Sequence, residues 1–212
     1  MYTLYWEYMA GSIVAQAMLE ELQVDYELRY VDMAADEHKS QAYRKINPIS
    51  RVPSLGLPSG QNIGETAAIV VQLGEDFPDS QLTPQPGSVD RAEFLFWLNV
   101  MTTSGYLTVS RHAHPERYAQ DEDAISQVEE KAAQDLAGFY AAIEGAIAGD
   151  PYFLKSGYSA LDIYLAMLAE WSVDRDALFA SCPKLASLVQ AVSQRAAYQT
   201  AVQTHLLPQQ AA

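Results

Sequence analysis

The sequence predicts a small mixed α/β layer of the pattern βαβαββα followed by an all-helical half. Three observations carry this reading. Short β-prone or alternating runs interleave with helical-period segments over residues 1–77; a stretch rich in proline and turn formers occupies 78–88; and no convincing strand follows it. The expected boundaries are therefore a first domain over 1–77, a linker over 78–88 and a helical domain over 89–212. With 212 residues, 49% of them apolar, the chain can bury a sizeable core in one large or two small domains.

"YTLYW" at 2–6 is β-prone and stops before Gly11-Ser12, after which Ile13, Val14, Ala17, Met18 and Leu22 recur at helical spacing. "DYELRYV" at 25–31 alternates, with Tyr26, Leu28 and Tyr30 on one face, as a half-buried strand does. The two strands and the helix between them make a βαβ unit, which is expected to be right-handed. A short polar helix around 38–45 precedes "RVPSLGL" and "QNI", two short runs joined by Pro58-Ser59-Gly60 as a hairpin. A third helix is expected in "GETAAIVVQLGEDF", 64–77, where Ala67, Val70, Val71 and Leu73 form an apolar stripe and Gly74 lies near the end.

In the helical half, Phe94, Leu98, Met101 and Gly105 mark one helix, and Val128, Ala132, Leu136, Phe139, Ile143 and Ile147 mark a longer one. "LDIYLAMLAEW", 161–171, is apolar nearly all round, so it should be the enclosed central helix. Its start carries a capping box: Ser159 can accept from the first-turn amides, Asp162 can answer the cap's own N–H, and Tyr158 with Ile163 can close an apolar staple. Two further helices follow Pro183, one with Leu185, Leu188 and Val192 on a face and one with Tyr198 and Val202.

Thirteen Lys and Arg against twenty-seven Asp and Glu give a formal net charge of -14, a field that repels polyanions. Nucleic acid and acidic membranes are not expected partners. No run of eighteen or more residues is free of charges and apolar throughout, and the first thirty residues are acidic, so a cytoplasmic protein is expected. The single cysteine, Cys182, excludes an internal disulfide and a CxxC redox pair, so any thiol chemistry must use a borrowed thiol. His38, Lys39, Arg44, Lys45 and Arg51 crowd the few cations into one region, either a solvated helix face or a local positive patch. Pro53 interrupts a strand pattern, which by itself marks an edge strand or a special turn.

Several strings settle which. "LYWEYMAGS", "INPISRVPSL", "GETAAIVVQL", "SALD" and "FWLN" occur in the order and at the separations found in the cytosolic glutathione transferases, and the chain resembles that family over essentially its whole length, with "FWLN" similar to the bacterial beta class. The resemblance implies a thioredoxin-like glutathione-binding domain, an all-helical C-terminal domain, glutathione as co-substrate, no metal, and a homodimer in which the glutathione thiolate is added to a small electrophile for detoxification. It also implies a cis peptide bond at Val52-Pro53, affordable because cis before proline costs only about 0.5–1 kcal/mol. Val52 would then offer its backbone N–H and C=O to the cysteinyl part of glutathione.

The same resemblance assigns the γ-glutamyl end to Glu65 and Thr66. The amides opening a helix there, with the Thr66 hydroxyl, suit a carboxylate, while Glu65 suits the ammonium group. The glycine carboxylate falls to Arg51, Lys39 or His38. Asn99 lies where the beta class has an asparagine near the sulfur, and Tyr106, Val109, His112 and Tyr164 are expected to wall the electrophile. The thiol-activating residue departs from each family pattern: Gly11 stands at the beta-class cysteine position, Ser12 follows it, and Tyr8 and Tyr5 are nearby hydroxyls. Ser12 is the first choice, with a plain N-cap role as its alternative, and Tyr8 and Tyr5 follow. Without a loop cysteine a mixed-disulfide mechanism is disfavoured, and without a serine-serine-cysteine loop so is maleylacetoacetate isomerisation. Competing readings are a non-catalytic binding or scaffold protein of the same fold, or a glutathione-dependent peroxidase or isomerase.

Overall fold

The computed structural model describes residues 1–206. In chain order the elements are β1 (Tyr2–Trp6), α1 (Ser12–Glu21), β2 (Tyr26–Tyr30), α2 (Gln41–Arg44), β3 (Ser54–Gly56), β4 (Asn62–Gly64), α3 (Thr66–Asp76), α4 (Arg91–Val100), α5 (Leu107–Ala113), α6 (Glu122–Ala146), α7 (Ala160–Glu170), α8 (Arg175–Ser181), α9 (Pro183–Ser193) and α10 (Ala196–His205). The chain separates into two units: Met1–Pro86 together with the residues from Ser193 on, and Gly87–Val192.

In the first unit the sheet order is β2-β1-β3-β4, with β1 parallel to β2 and antiparallel to β3, and β3 antiparallel to β4. β1 alternates as its sequence dictates: Tyr2, Leu4 and Trp6 are buried while Thr3 and Tyr5 are half-buried on the other face. α1 is buried from Ser12 through Leu19, polar Ser12 and Gln16 included. A helix enclosed to that degree needs cover beyond the sheet, and α3 and α10 supply it. Arg195, at the start of α10, holds Glu21 through Nε at 2.5 Å and a terminal nitrogen at 2.8 Å, and Gln16 donates to Tyr26 Oη at 3.0 Å and Thr204 Oγ1 at 3.1 Å. The last helix therefore groups with the first unit, where the sequence had placed everything from 89 onward in one helical domain.

Gly74, read from the sequence as a signal near the helix end, lies inside α3, which runs on to Asp76. Its missing side chain is what matters, since an added Cβ would come 1.7 Å from Thr83 Oγ1 and 2.6 Å from Thr83 Cβ. Gly74→Ala is expected to destabilise by about 1–3 kcal/mol through overpacking, despite alanine's better helix propensity, and a urea unfolding midpoint at or above wild type would refute the point.

In the second unit, α4 and α5 are joined by a π-helical turn over Met101–Tyr106, where one continuous α-helix was expected. Gly105 sits in that turn against Phe139 of α6: an added Cβ would lie 2.6 Å from the ring. α7 is enclosed as predicted, buried from Ala160 through Ala169, and the capping box at Ser159 and Asp162 is formed. α8 has no counterpart in the sequence reading; its start is fixed by Asp174, which accepts the Ala177 N–H at 2.9 Å. No helix among the described residues is long and apolar enough to cross a membrane.

Candidate functional site

The segment before β3 is held by a small buried network. Ser40 caps α2 by accepting the Tyr43 N–H at 3.1 Å, which sets Tyr43 inward at 4% exposure. The Tyr43 phenol donates to the Arg51 carbonyl at 2.8 Å and lies 3.1 Å from Ser54 Oγ. Asn47, also buried, donates to the Arg51 carbonyl and to Ser54 Oγ, both at 3.0 Å, and its Oδ1 accepts the Ile49 N–H at 3.0 Å. Two donors, Tyr43 of α2 and Asn47 of the turn after it, thus fix one carbonyl immediately before Val52. The Val52-Pro53 peptide bond is cis, as the resemblance implied. The β3 ladder begins at Ser54, opposite Tyr5, so Val52 lies outside it, and among the described residues its backbone groups have no hydrogen-bond partner. Asn47 and Tyr43 were not singled out from sequence; "INP" carried the signal for the first, and nothing local does for the second.

Directly after β4 comes Glu65, exposed, at φ 64° and ψ 116°. A non-glycine residue in that region costs on the order of 1–3 kcal/mol and persists where surrounding structure over-determines it, a pattern that clusters at ligand sites. Thr66 is the first residue of α3 and is buried, and no side chain caps that helix. Its opening amides have no intrahelical acceptors and are the positive end of an eleven-residue helix.

The loop from β1 to α1 is tied down at each step. The Glu7 carboxylate accepts the Tyr8 N–H at 2.7 Å and the Met33 N–H at 3.0 Å. Met9 has φ 48°, and its N–H goes to the His205 carbonyl at 3.1 Å. Ser12 is neither solvent-facing nor the cap: Gly11 is the N-cap residue, and Ser12 is fully buried with Oγ 2.9 Å from His205 Nε2 and 3.3 Å from the Glu7 carbonyl. The two phenols are differently placed. Tyr8 is half-buried, its ring against Trp6 and Tyr30 at centroid distances of 5.1 and 5.3 Å, and Tyr5 meets Tyr43 at 5.9 Å on the sheet face opposite Leu4 and Trp6. Among the described residues neither phenolic hydroxyl is hydrogen-bonded. His205 was missed entirely, since a lone histidine near a C-terminus carries no sequence signal.

The cationic cluster sorts by exposure. His38 is only 7% exposed with Nδ1 buried and unpaired among the described residues, which withdraws it from surface carboxylate binding. Lys39 is exposed but paired with Asp36 at 2.8 Å, and Arg51 is exposed. In the second unit, Asn99 is exposed and returns its amide to the Leu95 carbonyl at 2.8 Å. Tyr164 is 1% exposed and Val109 8%, so both are core of that unit and not an open wall. Tyr106 packs its ring on Trp171 at 5.3 Å, and His112 is half-buried. Among the described residues no group of three or more His, Cys, Asp or Glu could hold a metal ion.

A parallel β1/β2 pair extended by an antiparallel hairpin, with helices α1 and α3 and a cis-proline leading into β3, defines the thioredoxin-like class of domain, here continued by a helical unit. The comparisons agree with that class. Residues 13–76 match the model of the glutathione S-transferase N-terminal domain, and the chain has the glutathione S-transferase fold. It is 25% identical over 187 residues to the GST-like protein YncG of Escherichia coli (strain K12), covering 87% of this chain and 88% of that protein. Among solved structures, a sphingomonad glutathione S-transferase complexed with glutathione superposes with a TM-score of 0.80 at 27% identity, covering 96% and 98% of the two chains. A glutathione transferase homolog from Sulfitobacter with bound glutathione superposes with a TM-score of 0.85 at 23% identity over 98% and 99%.

Proposed function

We propose that this protein binds glutathione at its first unit, holds the thiol as thiolate and adds it to a small apolar electrophile. The observation that carries the reading is Glu65, a non-glycine residue held at φ 64° immediately before the uncapped start of α3. The α-carboxylate of the γ-glutamyl end would take the opening amides of α3 and the Thr66 hydroxyl, and its ammonium group would take Glu65. The cysteinyl backbone would pair with Val52, whose groups lie outside the β3 ladder. Lys39 or Arg51 would take the glycine carboxylate.

The thiol needs help, because at a pKa of about 8.5 only a few per cent is thiolate at neutral pH. Each unit of lowering requires about 1.4 kcal/mol of preferential thiolate stabilisation. The amides that open α1 supply part of it, and Tyr8 supplies the hydroxyl: it sits in the loop with its hydroxyl unengaged, whereas the Ser12 hydroxyl is committed to His205.

Glutathione at 100 times its dissociation constant is expected to stabilise the protein by about 2.7 kcal/mol, seen as a rise in melting temperature. Glu65→Ala and Thr66→Val should each weaken glutathione binding by roughly tenfold or more, the loss of one charge-assisted hydrogen bond. No thermal shift at saturating glutathione would sink the reading. The burial of Ser12 also supports a second reading, a protein that binds glutathione without activating it. A complex showing no thiolate ultraviolet absorbance near neutral pH would select that one.

A further inference from the structure

We propose that His205 is a positioning residue for thiol activation, fixing the β1–α1 loop at three points so that the amides opening α1 face the glutathione sulfur. The inference rests on the glutathione reading and deepens it. His205 is fully buried, and each of its groups has an assigned task. Its Nδ1 lies 2.8 Å from the Ala201 carbonyl, an oxygen that can only accept, so Nδ1 carries the proton. Burial pushes the ring down to about 4, so the imidazole is neutral and Nε2 is an acceptor. The Ser12 hydroxyl, 2.9 Å away, therefore donates to it. The His205 main-chain carbonyl accepts the Met9 N–H at 3.1 Å, and the ring stands edge-on to Trp6 at 4.9 Å. One residue of α10 thus grips the last residue of β1, the Met9 turn at φ 48° and the first residue of α1.

Between the last two grips lie Ala10 and Gly11, both buried, with the Ala10 carbonyl accepting the Ile13 N–H at 3.2 Å as the helix opens. The arrangement has a consequence for Ser12. Its single proton is spent inward, so its contribution to the thiolate is indirect, through the loop it anchors. His205 and Ser12 should then act as one unit on the sulfur and hardly at all on the γ-glutamyl anchors at Glu65 and Thr66.

The test measures glutathione affinity by calorimetry, the apparent thiol pKa of bound glutathione from the pH dependence of its thiolate absorbance, and kcat with an activated aryl chloride. In His205→Leu and in Ser12→Ala the bound thiol pKa should rise by about one unit, lowering kcat at neutral pH about tenfold, with the dissociation constant changed less than threefold. The double variant should be no worse than either single one, and His205→Gln, which keeps a donor and an acceptor, should recover most of the loss. If Ser12 donated directly to the sulfur, freeing its hydroxyl by His205→Leu would leave the thiol pKa unchanged or lower it; that result, or unchanged thiol pKa in Ser12→Ala, overturns the proposal. Should His205→Leu not fold, Ser12→Ala and His205→Gln decide alone. Wild-type protein that binds no glutathione overturns the glutathione reading itself, a distinct outcome from intact binding with an unmoved thiol pKa.

Discussion

Asp162→Ala is expected to lower the stability of the protein by about 3–5 kcal/mol. The carboxylate is fully buried and accepts the Phe153 N–H at 2.7 Å, the Ser159 N–H at 2.7 Å and the Ser159 hydroxyl at 3.2 Å. Removing it strands two buried backbone donors at about 1–3 kcal/mol each and dissolves the capping box of α7. A second signature comes from titration. Burial raises the carboxyl to about 6, against about 3.9 in an unfolded chain. The folded state therefore holds this proton more tightly, and the contribution of Asp162 to stability is largest below pH 4 and falls by about 3 kcal/mol as pH rises to about 6. Asp162→Asn, which cannot titrate, should lose that slope. Urea midpoints at pH 4 and pH 7 check it, and parallel pH profiles for the wild-type and asparagine proteins would rule it out.

That this carboxylate matters was readable from "SALD" because a capping box is a local pattern, complete within four residues. The same holds for the alternation of β1, the apolar circumference of α7 and the turn at Pro58-Ser59-Gly60, each set by contacts the sequence spells out over a few positions. What was not readable depends on partners far away. The π-helical turn at Met101–Tyr106 accommodates Gly105 against Phe139, a residue of another helix. α10 joins the first unit because α1 must be covered on a second side, which no window around 196–205 reveals. Tyr164 and Val109 were named as ligand wall from residue type, and packing made them core. The proposed glutathione anchors were legible for a different reason. Val52 would act through its backbone, and Glu65 and Thr66 through side chains presented by the turn into α3, and Pro53, which marks the first of these places, is written in the chain.

Asn47→Ala is expected to do to the candidate site what Asp162→Ala does to the helical unit. Asn47 does three jobs with one side chain, holding the Arg51 carbonyl, the Ser54 hydroxyl and the Ile49 N–H, and alanine leaves the last of these without its acceptor. The loss should be about 2–4 kcal/mol in stability, with glutathione affinity weakened roughly tenfold or more because Val52 follows the carbonyl that Asn47 fixes. Tyr43→Phe is the matched control. It removes a second donor to the same carbonyl but leaves no buried N–H unpaired, since the carbonyl keeps Asn47 and Ser54 Oγ keeps its bond to the same amide. It should cost about 1 kcal/mol and change glutathione affinity only a few-fold. Calorimetric titration of the two variants separates the cases. Equal losses of affinity would mean that the Arg51 carbonyl needs both donors equally, and unchanged affinity in Asn47→Ala would detach the network, and with it Val52, from glutathione binding.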